Sequence, residues 1–290
     1  LSPVQELFGW ELPVGDWSEE AIDWLLSTFD FLWVFLRDVL RGTFTWLDDL
    51  LTLPPSWVMI LLLAALAFYA RGWRFAVGST AALLLIDLMG QWENAMHTLT
   101  LVIIACGAAV LLALPVGIAA ARSRPVSVIV KPILDFMQTL PALIYVMIGV
   151  AFFRVGEVPG IVATIIFAMP PGIRLTELGI RQVDAEVVEA GHAFGSPPGK
   201  ILRQIQLPLA LPTIMAGINQ VIMLTLAMAV LAGMVGTPGL GQAVFSAITT
   251  INTGLGIEAG ISVVILAIYL DRVTAALGAR SAVARLAPTK

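Results

Sequence analysis

Apolar residues gather into seven blocks, at about 57–70, 74–90, 95–121, 138–153, 159–178, 212–235 and 257–277. A helix that crosses a bilayer needs roughly 20 such residues, with a range of about 17–25. Each block therefore predicts a transmembrane helix. The blocks lack the period-two alternation of barrel strands, and a helix is the other way to satisfy backbone polar groups in lipid. Trp57, Trp73 and Trp92 stand near block ends, where aromatic rings form interfacial belts.

Two stretches break this pattern. From Ala21 to Leu53, apolar Trp24, Leu25, Phe29, Leu32, Trp33, Leu36 and Leu40 are interrupted by Asp23, Asp30, Arg37, Asp38 and Arg41. So many charges predict an amphipathic helix lying on the membrane surface, with an extra span at about Ala21–Leu36 as the second option. Ser18 can cap its start, with acids in the first turn, and Pro54-Pro55 closes it. The longest strongly polar interval runs from Asp184 to Pro208 and holds Glu186, Glu189, His192, Lys200 and Arg203. Val187, Val188, Ala190 and Phe194 recur in it at helical spacing. Gly195 sits where a C′ glycine belongs. Ser196 can cap a second helix, Pro197 suits its first position, and Pro208 is expected to end it. Two short helices with a tight turn, on a membrane chain, predict a docking element for a soluble partner.

Composition agrees with a membrane protein. The 290 residues are 59% hydrophobic and 12% charged, with mean hydropathy +0.93, whereas soluble domains carry roughly 25% charge. Cys106 stands alone, so no disulfide forms within one chain and no Cys/His metal cluster is expected. Charge is unevenly placed. Residues 1–56 hold ten acids and two arginines, a balance of −8, and residues 57–290 hold ten acids and fourteen bases, +4. The first twenty residues are acidic and lack the basic start of a signal peptide. An outside N-terminus puts thirteen of the sixteen bases inside, leaving Arg37, Arg41 and Arg154 outside. The positive-inside rule favours that topology. It places Asp184–Pro208 and the C-terminus in the cytoplasm and the acidic tail outside.

Candidate chemistry is sparse. Gly195-Ser-Pro-Pro-Gly199-Lys200 has three residues between its glycines where a phosphate-binding loop has four, and Ile201 follows the lysine where Ser or Thr belongs. No strand precedes it, so no nucleotide site is expected on this chain. His97 and His192 lack neighbours suited to nucleophilic catalysis and read as surface or interface residues. Asp87, Glu93, Arg174, Glu177, Glu258 and Asp271 fall close to span ends, where interfacial placement or snorkelling explains them. Span centres nearly free of charge argue against an ion-coupled carrier, so the energy must come from a partner. Gln138-Thr-Leu-Pro141 opens the fourth span, and Pro170-Pro171-Gly172 is expected to kink the fifth. Asn219 and Gln220 lie in the sixth, where amides join helices more often than they line a pore. Gly236–Gln242, followed by Ala243–Ile251, suits a re-entrant segment or a surface loop near the outer face.

Glu189-Ala190-Gly191, Gly195, Ile205 and Leu207-Pro208 carry a resemblance to the EAA loop of ABC-importer permeases: Glu-Ala-Ala, three residues, Gly, nine residues, then an apolar residue before Leu-Pro. Gly191 departs mildly from the Ala often found third. Asp135–Pro141, Val162–Pro171 with Arg174-Leu175-Thr176, Leu207–Asn219, Gly239–Gln242 and Ile265–Arg272 resemble the permease subunit of glycine betaine/proline importers. The likeness covers roughly residues 57–277, and the acidic outer tail resembles that subfamily as well.

The resemblance implies an all-α integral membrane protein of the type I ABC importer permease fold, with about seven transmembrane helices after an amphipathic tail. Residues 1–56 would form the outer tail and 57–277 the transmembrane domain, with its coupling loop at about 184–208. Residues 278–290 would form the cytoplasmic C-terminal tail. Two copies would make the pore in a bacterial inner membrane. Separate cytoplasmic ATPase subunits would bind ATP and Mg, leaving no cofactor or metal on this chain. An extracytoplasmic receptor would deliver the osmolyte, and no nucleic acid is expected as partner. Glu189, Ala190, Gly191, Gly195, Leu207 and Pro208 would couple to the ATPase. Gln138, Pro141, Asn219 and Gln220 are the candidates for pore or gate. Three other readings are a choline-preferring permease, an ion-coupled secondary transporter and a membrane-embedded enzyme. The outer tail could also serve as a sensor or partner-binding module added to the transporter.

Overall fold

The structure, a computed structural model, describes residues 13–279, and among them every regular element is a helix. The tail forms α1 (Val14–Thr28) and α2 (Asp30–Thr52), and α3 (Ser56–Arg71) and α4 (Trp73–Leu88) make an antiparallel pair. The centre is α5 (Trp92–Arg122), α8 (Glu157–Arg181) and α11 (Leu207–Ala232). Between α5 and α8 lie α6 (Arg124–Thr139) and α7 (Ala142–Phe153). The polar interval supplies α9 (Ala185–Ala193) and α10 (Pro198–Ile201), and the chain closes with α12 (Leu240–Thr249) and α13 (Thr253–Ala279).

Contacts set the polarity of the three central helices. Where α5 and α8 end, Arg181 Nη2 donates to the Ala120 carbonyl at 2.8 Å. At the opposite end the Gly156 N–H donates to the Val235 carbonyl at 3.1 Å, and the Leu240 N–H donates to Thr98 Oγ1 at 2.8 Å. The polar interval thus emerges at one end of the bundle and α12 is tucked into the other.

The expected kink at Pro170-Pro171-Gly172 does not break α8, which runs unbroken from Glu157 to Arg181. Both prolines are buried, and a Cβ on Gly172 would come 3.0 Å from Ala113 Cβ and 3.1 Å from Val221 Cγ2. Gly172 therefore marks the place where α5 and α11 both close on α8. In lipid, such close approach through small residues is the main source of helix association. Its hydrophobic window is also the most enclosed of the four long apolar helices, 61% buried. Packing on several sides keeps the helix continuous despite the missing N–H groups.

The seven blocks appear as α3, α4, α5, the α6–α7 junction, α8, α11 and α13, but fewer are full spans. Among the described residues, four helices are long and apolar enough to cross a membrane, or up to six when each bent pair counts as one: α2 with α3 at 98° and α6 with α7 at 99°. At 1.5 Å per residue, α3 and α4 reach only about 24 Å and α7 about 18 Å, against a hydrocarbon core of about 30 Å. The fourth block splits because Leu140, preceding Pro141, is extended at φ −67°, ψ 133°. A proline ring pushes its predecessor out of the helical region.

The tail is tied into this bundle. Leu40 and Phe44 of α2 are buried with Leu101, Val102 and Ala105 of α5 and Ile161 of α8, and Trp33 lies 4.7 Å from the Phe152 ring. Arg41 pairs with Glu157 at 3.2 Å, and Asp48 Oδ1 sits 2.8 Å from His97 Nδ1. One face of α2 packs on protein, where the sequence pattern alone suggested a membrane surface.

Candidate coupling site

The polar interval folds as two short helical limbs around a tight turn. Asp184 caps α9, its side chain accepting from the Glu186 N–H at 2.9 Å. At the other end the Ser196 N–H donates to the Gly191 carbonyl at 3.1 Å and the Gly195 N–H to the His192 carbonyl at 2.8 Å. That pair of bonds is a Schellman closure, and it requires the left-handed backbone that Gly195 adopts at φ +73°. The second limb starts one residue later than its sequence suggests. Pro197 is itself the N-cap, with its carbonyl accepting from Lys200 and Ile201, and Ser196 makes no side-chain capping bond.

Gly191 is the hinge of the packing between limbs. It is buried, and a Cβ there would meet Ile205 Cδ1 at 2.9 Å and Ile201 Cγ1 at 3.4 Å. Ile201 and Leu202 are buried in turn, and Leu202 joins a cluster with Ile180, Ala210 and Ile214. The base of the loop is thus clamped between α8 and α11. Its outer side keeps Glu189, Ala190 and His192 exposed, and Phe194 is 90% exposed. Phe194, the last of the apolar residues at helical spacing, is the C-cap residue of α9.

Pro208 does not end the second limb. The chain passes from α10 through a π-helical turn, Leu202–Gln206, straight into α11, making one 38-residue helix from Pro198 to Val235. The Leu207 N–H reaches back five residues to the Leu202 carbonyl. A wider turn is a natural way past a proline, because it relieves the ring's clash with the carbonyl four residues back. Leu207 and Pro208 therefore sit where the loop becomes a span.

A family model described as "Binding-protein-dependent transport system inner membrane component" matches residues 113–283. The chain belongs to this family. The glycine betaine transport system permease protein OpuAB of Bacillus subtilis (strain 168) is 44% identical over 91% of this chain and 93% of its own length. The glycine betaine/proline betaine transport system permease protein ProW of Escherichia coli (strain K12) is 43% identical over 92% of this chain and 75% of its own length. Among solved structures, an inward-facing form of the MetNI methionine ABC transporter matches with TM-score 0.59. At 21% identity it covers 68% of this chain and 95% of that one, and it speaks for the fold. The protein is thus a multi-pass inner-membrane subunit of an ABC importer, a class in which a separate subunit carries the ATPase and a binding protein supplies the substrate.

Within this ABC permease, the candidate pore residues fall in two places. Gln138 is exposed on the last turn of α6, and Pro141 makes the elbow that starts α7. Asn219 and Gln220 lie in the second and third turns beyond Pro212 on α11. Neither amide joins helices: among the described residues their side chains form no hydrogen bond, and Asn219 Oδ1 is buried without a partner. No hydrogen bond links the two places either.

Sequence reading missed α6 and its polar stripe. Ser127, Lys131 and Asp135 recur every four residues on α6 and meet Glu177 and Arg174 of α8. The spacing was visible, but only the fold shows that the two stripes meet. Glu177, which reads as an interfacial carboxylate, is 4% exposed and sits at the centre of that contact.

Proposed function

We propose that this chain is the translocation subunit of an ATP-driven importer for glycine betaine, proline betaine or a related quaternary amine. Cytoplasmic ATPase subunits would dock on the Asp184–Pro208 loop. What carries the reading is the build of that loop: a capped, clamped helix pair, exposed outward and continuous with α11. A rigid pair can hand a partner's closure to the spans as a rigid-body motion. The substrate class follows the printed names of relatives at 43–44% identity.

The remaining parts of the assembly are inferred from charge and from unpaired groups. Arg122, Lys200 and Arg203 line an open cleft beside the loop and make no ion pair among the described residues. That basic end suits the cytoplasmic side, which supports an outside position for the acidic tail. Gln220 on α11 is exposed and its amide is unpaired among the described residues, which supports a second copy of the chain across a pore lined in part by α11.

Uptake of labelled glycine betaine into proteoliposomes, with the cognate ATPase and receptor, tests the reading. Glu189→Lys should abolish ATP-driven uptake in a folded permease. Normal uptake by that variant would remove the loop from the coupling path, and counterflow without any ATPase would favour a secondary carrier.

A further inference from the structure

The geometry points to a second element of the coupling path, a polar zipper centred on Glu177 that makes α6 follow the end of α8. This inference rests on the coupling role proposed for the loop and adds the route from there to the α6–α7 elbow. Glu177 Oε1 accepts from Ser127 Oγ at 2.7 Å and lies 2.9 Å from Arg181 Nε and 3.6 Å from Lys131 Nζ. One turn back on α8, Arg174 pairs with Asp135. The zipper occupies the last two turns of α8, and residues 182–184 alone separate it from α9.

The apolar hold on α6 is a small strip, with Val130 and Met137 partly buried beside Leu134. Ser127 and Leu134 are its buried residues, and Leu134 packs with Ala113 and Ile173. Val128, Ile129, Ile133 and Phe136 are exposed on the other side. A small apolar strip can slide by a turn at modest cost, whereas such a slide takes Ser127 and Lys131 away from a buried carboxylate that then keeps only Arg181 of its own helix. Glu177, whose side chain is 5% exposed, therefore holds α6 to one register on α8. At its far end α6 meets α7 in the 99° elbow, which Tyr145 braces by donating its hydroxyl to the Met137 carbonyl. Tyr145 also meets the Phe167 ring edge-on at 5.7 Å. Displacement of the loop thus moves the end of α8, the zipper carries α6 along, and the elbow delivers the movement to Gln138 and Pro141. Glu177 is a positioning residue in this scheme: it acts through α6.

The test is the number of glycine betaine molecules imported per ATP hydrolysed, in proteoliposomes holding the full importer. This ratio does not change when a variant merely lowers the amount of folded protein. Glu177→Gln should lower it by about tenfold, within the span of ordinary coupling free energies, and Glu177→Asp should recover part of the loss. Lys131→Gln should lower it by about threefold, as suits a half-exposed partner. Its side chain is 60% exposed, so this variant carries the test if Glu177→Gln does not reach the membrane. A wild-type ratio in Glu177→Gln, or in Lys131→Gln when the first is not recovered, overturns the zipper. Glu189→Lys run alongside separates the two failures. If it loses uptake while the zipper variants keep their ratio, the zipper alone falls; if it transports normally, the coupling role of the loop falls as well.

Discussion

Asp48 Oδ1 stands 2.8 Å from His97 Nδ1 and 3.1 Å from Thr100 Oγ1, fastening the acidic tail to the first long span. Neither side of the Asp48–His97 pair is more than 18% exposed. Removing the carboxylate leaves His97 and Thr100 without their shared acceptor, a loss of about 2 kcal/mol for charge-assisted bonds of this kind. Asp48→Ala should lower the thermal unfolding midpoint of the detergent-solubilised permease and speed proteolysis between α1 and α3. A midpoint and cleavage pattern equal to wild type would show that α2 is held by its apolar face alone.

Gly191 gives a graded prediction at the heart of the loop. A single methyl would press on the far end of the Ile205 side chain, which can rotate away, whereas a branched side chain would part the two limbs. Gly191→Ala should keep nearly full uptake, in line with the Ala common at this position in the resembling loops. Gly191→Leu should lose most uptake and ATPase binding while the transmembrane helices stay folded, as circular dichroism would report. Equal activity of both variants would contradict the packing described.

Phe194 is the largest apolar group on the exposed side of the loop, and nothing among the described residues covers it. A buried aromatic at the centre of an interface contributes about 2 kcal/mol or more, roughly 30-fold in affinity. Phe194→Ala should leave the stability of the isolated permease unchanged and weaken its binding to the ATPase subunit by about that factor. Unchanged affinity in a pull-down titration would place Phe194 outside the contact.

Much of this protein could be read without coordinates, because lipid imposes strong rules on sequence. Membrane class, helical architecture, the polar interval and its Gly195 turn all follow from hydropathy, period and cap chemistry, which act over a few residues. The spacing from Glu189 to Pro208 sufficed to suggest the family. Span boundaries were less legible, since apolar content alone cannot tell a 12-residue helix behind a proline elbow from a full crossing. What only the tertiary structure decided were contacts between distant residues. Pro170 and Pro171 stay within an unbroken helix because α5 and α11 close on Gly172. Pro208 continues a helix because a π turn makes room for it. Asp48 meets His97 and Glu177 meets Ser127, each across about fifty residues of chain. Such pairings carry no local signature: a carboxylate near a span end looks the same in sequence whether it faces headgroups or the one hydroxyl and two cations that hold it in the bundle.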